Sequence, residues 1–130
     1  MAKVIAFPPQ KESVIKAHIY QFLSLQLEFF GWVETSTGIW DPKTARFRKR
    51  NGTGMRCGVA DLVGIWNGRG LALEIKTSKG RLSDMQIIFL SEFQRHGGVS
   101  AVLRSLADAD LLIDALRFKQ PLPTKLTPFP

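Results

Sequence analysis

The chain has 130 residues, 45% hydrophobic and 22% charged, with 18 Lys plus Arg against 11 Asp plus Glu and a net charge of +7. These values fit one globular domain and exclude a wholly disordered chain. No apolar run approaches the roughly 18 residues of a membrane span, and a single cysteine, Cys57, excludes an internal disulfide framework. The opening MAKVIAFPPQ lacks the apolar region and cleavage site of a signal peptide, so the expected location is cytoplasmic, with no membrane partner. No Cys/His spacing suits zinc.

From about Gln10 to Phe30 there is no Gly or Pro, and Val14, Ile15, Ile19, Phe22, Leu23 and Leu27 recur at three- and four-residue spacing. That pattern predicts an amphipathic helix ending at Gly31. WVETSTGIW alternates and predicts a strand near 32–37. The basic, Gly-containing stretch 41–58 reads as a mobile loop or irregular hairpin. VADLVGIW and LALEIKT are strand-like runs joined by Asn67-Gly68-Arg69-Gly70, a strong hairpin signal. Ser83 then opens a helix with Ser-x-x-Gln capping-box spacing to Gln86, closed by Gly97-Gly98. VSAVLRS reads as a buried strand, and SLADADLLIDALRF as a last helix with Asp near its positive N-terminus. The order is α-β-β-β-α-β-α. The helix between the third and fourth strands favours a parallel crossover in a mixed sheet. One domain, 1–118, is expected, followed by a Pro-rich tail, 119–130, that is extended or loosely ordered.

The charge is concentrated. Lys43, Arg46, Arg48, Lys49, Arg50 and Arg56 lie between 43 and 60 with no acid, for +6. Arg69, Lys76, Lys79 and Arg81 against Glu74 add +3 between 69 and 81, and the rest of the chain is at −2. Clustered positive charge is the footprint of a polyanion, most often nucleic acid, although a solvated basic loop has the same composition.

Asp61 and Glu74 interrupt otherwise apolar runs, and a buried carboxylate is costly unless it is paired or bound to a metal. Closing the hairpin between Asn67 and Gly70 through a two- or four-residue loop sets Asp61 opposite Lys76 and Val63 opposite Glu74. Asp61, Glu74 and Lys76 then share a face, with the two acids as diagonal neighbours able to share one cation. A three-residue loop would shift the register and split the group. Two carboxylates with water and a substrate phosphate suit Mg²⁺. The plainer alternative is a cross-strand Asp61–Lys76 salt bridge with Glu74 in solvent.

Asp61 followed by Glu74-x-Lys76 resembles the motif of the PD-(D/E)xK nuclease superfamily. More narrowly, Gly58-x-x-Asp61, Glu74-x-Lys76, Ser83-x-x-Gln86 and Gly97-Gly98, with Glu12 on the first helix, resemble the virus-type replication-repair nuclease (VRR-NUC) domain over residues 10 to 115. One departure is Ala60, standing where the superfamily carries Pro before its first Asp. The resemblance implies a restriction-endonuclease-like α/β core. It implies that Asp61, Glu74 and the backbone carbonyl of Ile75 ligate Mg²⁺, with Mn²⁺ able to substitute. Lys76 would be the catalytic lysine, Gln86 would reach the site from its helix, and Glu12 would hold a metal-bound water or a second ion. Gln86 also has a purely local use in its capping box, and Glu12 could simply pair with Lys16 one turn on.

Arg46, Arg48, Lys49, Arg50, Arg56, Lys79 and Arg81 flank this set in sequence and are read as contacts to a phosphate backbone, which orient without selecting sequence. Trp32, Trp40 and Trp66 are expected to pack in the core rather than stack on bases. His18, His96 and Cys57 are given no chemical role. The expected activity is metal-dependent hydrolysis of DNA phosphodiesters. Family resemblance adds branched DNA such as four-way junctions as substrate and a homodimer as the acting form. A non-catalytic DNA-binding module of the same fold, and a nuclease subunit of a larger assembly, are the alternatives.

Overall fold

The structure is a computed structural model and describes residues 11–27, 31–34, 39–41, 43, 45–48 and 58–130. Along the chain run α1 (Glu12–Gln26), β1 (Gly31–Glu34), β2 (Ile39–Asp41), β3 (Arg46–Arg48), β4 (Leu62–Trp66), β5 (Arg69–Ile75), α2 (Asp84–Arg95), β6 (Val99–Leu103) and α3 (Leu106–Arg117), then a 3-10 turn at Thr124–Leu126. β1, β4, β5 and β6 form one sheet in that order, antiparallel except for the β5–β6 pair. This is the mixed sheet of a restriction-endonuclease-like core. β2 and β3 pair with each other as a separate antiparallel ribbon, so part of the stretch read as loop or irregular hairpin is a regular hairpin. The strand expected near 32–37 is described over Gly31–Glu34, and residues 35–38 lie outside the described set.

The β4–β5 hairpin turns on Asn67 and Gly68 alone, both with positive φ (50° and 78°). That is the type I′ geometry whose twist matches the strands, and Asn-Gly is the pair that best tolerates it. Trp66 therefore faces Arg69, and Leu62 faces Leu73. This register is two residues off the one expected from the sequence. A shift of two keeps every side chain on its expected face, because strands alternate with period two.

α2 begins with a reciprocal capping box: the Gln86 amide N–H donates to the Ser83 hydroxyl at 3.2 Å, and the Ser83 amide donates to Gln86 Oε1 at 2.9 Å. It ends in a Schellman motif, with Gly97 N–H on the Gln94 carbonyl and Gly98 N–H on that of Phe93. Gly97 supplies the positive φ, at 99°. Gly98 has a different duty: a Cβ there would run into the Phe93 ring, and one on Gly70 would come within 3.2 Å of it. Small residues on this sheet face thus let α2 lie close, and Ser100 fastens it by donating to the Leu90 carbonyl at 2.8 Å.

Three layers result. On one side α1 and α3 bury Ile15, Ile19, Leu23, Leu112 and Ile113 against Leu62, Leu71, Leu73, Ile75 and Leu103. On the other, Leu90 of α2 covers Ala60, Ala72 and Val102 with Phe89 and Phe93 alongside. The β5–α2–β6 connection is the expected parallel crossover. Trp66 packs against the core as expected, and the side chains of Trp32 and Trp40 lie outside the described set. The C-terminal segment is not loose: Leu126 is fully buried in the α1/α3 core, and Leu122 and Phe129 pack on either cluster. Its prolines keep it extended while its spaced apolar residues dock it. No helix of the described residues is long and apolar enough to cross a membrane.

Candidate metal centre

At the open end of the hairpin three carboxylates from three segments converge. Glu12 opens α1, Asp61 immediately precedes β4, and Glu74 is the penultimate residue of β5. One ligand oxygen from each lies within 4.8 Å of the others. The observed register continues from Leu62 and Leu73 to set Asp61 level with Glu74, closer than the diagonal placement expected from the sequence. The chain reaches Asp61 through Gly58, whose φ is 78° and where a Cβ would stand 2.7 Å from the Gln86 amide nitrogen and closer still to the Met85 carbonyl. Only glycine can cross the first turn of α2 at this separation. The approach is buried at Ala60, the position of the departure from the superfamily pattern.

Each acid is held differently. Asp61 Oδ2 accepts the Ile75 amide N–H at 2.9 Å, and Lys16 Nζ of α1 lies 3.3 Å from Oδ1. Glu74 is only 2% exposed, so the plainer reading, with this acid in solvent, fails. Its Oε1 accepts the Gln86 side-chain amide at 3.1 Å and has Lys76 Nζ at 3.9 Å, while its Oε2 is buried and finds no hydrogen-bond donor among the described residues. Gln86 thus serves both its capping box and Glu74. Burial pushes the Glu74 carboxyl up to about 8, and the neighbouring Asp61 charge pushes the same way against the opposing pull of Lys76.

This donor set fits a hard divalent cation. All the side-chain atoms are carboxylate oxygens, one of them is buried without a donor, and a 2+ charge would offset the burial and the Asp61 repulsion that push the Glu74 carboxyl up. Ile75 donates toward Asp61, whereas the next amide, Lys76, donates to Leu103 across the sheet. In an extended strand the N–H and C=O of one residue point the same way, so the Ile75 carbonyl also points to the Asp61 side.

Two side chains at this end were not singled out from the sequence. Lys16, four residues beyond Glu12, reaches Asp61 from the adjacent helix; the only signal was helical spacing, which first suggests Glu12 as its partner. Arg104, just past β6, donates from its guanidinium to the carbonyls of Thr77 and Gly80, each at 2.6 Å. It pins the turn that follows Lys76, whose Cδ would touch a Cβ at Gly80. Nothing in VSAVLRS signals so remote a contact. Of the basic residues, Lys79 and Arg81 are exposed in the β5–α2 loop, and Arg46 and Arg48 lie on β3. Lys49, Arg50, Arg56 and Cys57 lie outside the described residues. His96 caps the C-terminal end of α2 beside Glu92, and His18 is exposed on α1.

None of the curated proteins compared with the chain matches it. The family model described as the VRR-NUC domain matches residues 9–107, which contain Glu12, Asp61, Glu74, Lys76 and Gln86. That match covers well over half of the chain, spanning α1 to β6 and the acidic cluster, and the chain belongs to the VRR-NUC family of nuclease-type domains.

Proposed function

We propose that this protein is a metal-dependent endonuclease that hydrolyses phosphodiester bonds in DNA. The carrying observation is the meeting of Glu12, Asp61 and Glu74 within 4.8 Å, beside Lys76 and with a buried Glu74 oxygen lacking a donor. Asp61, Glu74 and the Ile75 carbonyl would hold Mg²⁺ or Mn²⁺, with Glu12 engaged directly or through water. When bound, such a cation supplies Lewis-acid polarisation of the phosphate and activation of water.

The remaining work falls to the chain. The Gln86 amide holds Glu74 Oε1 and fixes that carboxylate's rotation; the Ile75 amide does the same for Asp61. Lys76 Nζ stands at the edge of the cluster, where it orients the attacking water and offsets charge gathering on the phosphate oxygens. Water adds to phosphorus, the bond to the leaving ester oxygen breaks, and a proton lost by the water is balanced by one gained at that oxygen. Arg46, Arg48, Lys49, Arg50, Arg56, Lys79 and Arg81 grip the backbone. Branched DNA such as a four-way junction is the proposed substrate. A homodimer is the proposed acting form, since symmetric cutting of two strands needs two sites.

The test is a panel of linear, nicked, flapped and four-way DNA, with Mg²⁺, with Mn²⁺ and with excess EDTA. Branched substrates should be cut with either metal. Glu74→Gln and Lys76→Ala should reduce cutting by about a thousandfold or more, while gel-shift affinity is largely kept. Robust cutting by the Glu74 variant, or in EDTA, overturns the reading.

A further inference from the structure

At the turn end of the β4–β5 hairpin, away from the acidic cluster, lies a cavity of about 490 Å³. Its described lining comes from two elements: the turn and the start of β5, from Gly68 to Gly70, and the C-terminal half of α2 with its stop, from Phe89 to Gly98. The volume falls within the roughly 300–1,000 Å³ of small-ligand sites. Phe89 and Phe93 supply an apolar wall, both half-buried and with ring centroids 5.9 Å apart. Arg69 also lines the cavity; it is exposed, and its guanidinium has no hydrogen bond or ion pair among the described residues. Glu92, the one acid in the described lining, is offset by Arg95 at 2.7 Å, so the cavity keeps the positive charge of Arg69. His96 spends Nδ1 on the Glu92 carbonyl at 2.8 Å, which leaves Nε2 for a ligand. At Gly68 and Gly97 an added Cβ would meet nothing within 4 Å, so the entrance between the two elements is open. None of these residues belongs to the metal centre or to the backbone contacts assigned above.

We infer that this cavity takes one unpaired nucleotide of the DNA strand, several steps along from the scissile phosphate. The inference rests on the nuclease reading and deepens it by saying where the strand runs. Distance is the first argument. Gly70 precedes Glu74 by four residues on β5, so cavity and metal centre are about 13 Å apart at roughly 3.3 Å per residue. A stacked strand rises about 3.4 Å per nucleotide, so about four nucleotides span that gap. α2 joins the two places: Gln86 in its first turn holds Glu74, and Phe89, one turn on, already lines the cavity. A strand leaving the metal centre along this helix therefore enters between Phe89 and Arg69. Chemistry is the second argument. The planar guanidinium of Arg69 suits a phosphate, the Phe89 and Phe93 rings pack a base, and His96 Nε2 meets the polar edge of the base or sugar. A base reaches the rings only when it is out of its duplex, as in a single-stranded arm or at a branch point.

The experiment reads binding apart from cutting. Deoxyadenosine monophosphate titrated into isotope-labelled wild-type protein in EDTA should shift the NMR amide signals of Gly68, Gly70, Gly97 and Gly98, and Arg69→Gln should abolish the shifts. Branched DNA with a single-stranded arm is then bound to Glu74→Gln protein in Mg²⁺ and followed by fluorescence anisotropy, with the arm placed on either side of the cut in turn. With an arm of about six nucleotides, Arg69→Gln in that background should raise Kd about tenfold, and Arg69→Glu more. With the arm cut back to about two nucleotides, short of the cavity, the difference should vanish, which a folding defect or a general loss of charge would not allow. Melting curves of the variants should match their parents, given the exposure of Arg69. If the wild type cuts DNA while the arm length makes no difference and the glycine signals stay fixed, the subsite is wrong and the nuclease reading stands. Glycine shifts without an effect of arm length would assign the cavity to a free nucleotide and overturn its place on the strand. If the wild type cuts no DNA with either metal yet binding depends on Arg69 and arm length as stated, the nuclease reading falls and the cavity remains a nucleotide site.

Discussion

Two acids are buried among the described residues, and they are partnered differently. Asp108, in the first turn of α3, is 4% exposed. Its Oδ2 accepts the Arg104 amide at 2.9 Å, its own amide donates to the Ser105 hydroxyl that caps the helix, and Lys125 Nζ stands 2.9 Å from Oδ1 as an ion pair rather than an aligned hydrogen bond. It also sits at the positive end of the helix. Glu74, 2% exposed, has one oxygen engaged, one without a donor, and a second carboxylate as its neighbour. Asp108 fastens α3, the end of β6 and the C-terminal segment together. Glu74 is left short of partners, an arrangement that costs stability and leaves coordination capacity for a ligand absent from the fold.

The largest test of this contrast is pH. Folded Glu74 keeps its proton up to about 8, whereas a carboxyl in the unfolded chain releases it near 4.5. Between those values the folded state binds the extra proton, so metal-free stability should fall as pH rises, with no penalty from this group below the window and the whole penalty above it. The cost is on the order of several kcal/mol. Glu74→Gln should flatten the decline and exceed the wild type in melting temperature at pH 8.5, even as it loses cleavage. Mn²⁺ should raise the wild-type melting temperature more at pH 8 than at pH 6, because binding must displace the proton. A wild-type melting temperature that rises across this range without metal would remove the contrast.

Gly58→Ala attacks the Glu74 pocket through the backbone. A methyl group there meets the chain at Met85 and Gln86 at a φ that disfavours side chains, so about 3 kcal/mol or more should be lost in denaturant unfolding. Gln86 should be displaced with it, and cutting should fall in the protein that still folds. Asp108→Ala leaves the Arg104 amide and Lys125 without their acid. It should cost about 2–3 kcal/mol of stability and leave kcat for DNA cleavage unchanged below the melting temperature. The smallest effect on stability belongs to Arg104, whose amide meets Asp108 and whose guanidinium holds the turn after Lys76. Arg104→Ala frees the Thr77 and Gly80 carbonyls, for about 1–2 kcal/mol, and loosening the turn after Lys76 should lower cutting by about tenfold.

The secondary elements were readable because their signals are local. The Ser83–Gln86 box, the Gly97-Gly98 stop and the Asn67-Gly68 turn each act within a few residues, and the structure reproduces each. The grouping of Asp61 with Glu74 survived a wrong register, because an error of two residues leaves strand faces unchanged. Residues drawn to the site from remote segments were harder to see. Lys16 is 45 positions from Asp61, and Arg104 is 24 and 27 from the carbonyls it holds. The docking of the C-terminal segment was out of reach for the same reason: proline content reports its extended backbone, while burial of Leu126 depends on packing against other elements.

By itself, then, the sequence determined the α/β element order, the parallel crossover, the resemblance carried by Asp61, Glu74, Lys76 and Gln86, and the concentration of charge around them. Periodicity, capping and turn chemistry act over short stretches and are written in the order of the residues. The tertiary structure alone decided that Glu74 is buried with an oxygen lacking a donor, that Lys16 stands against Asp61, and that Arg104 and the C-terminal segment brace the surroundings. Burial and electrostatic coupling depend on distances between segments far apart in sequence, and only packing sets those distances.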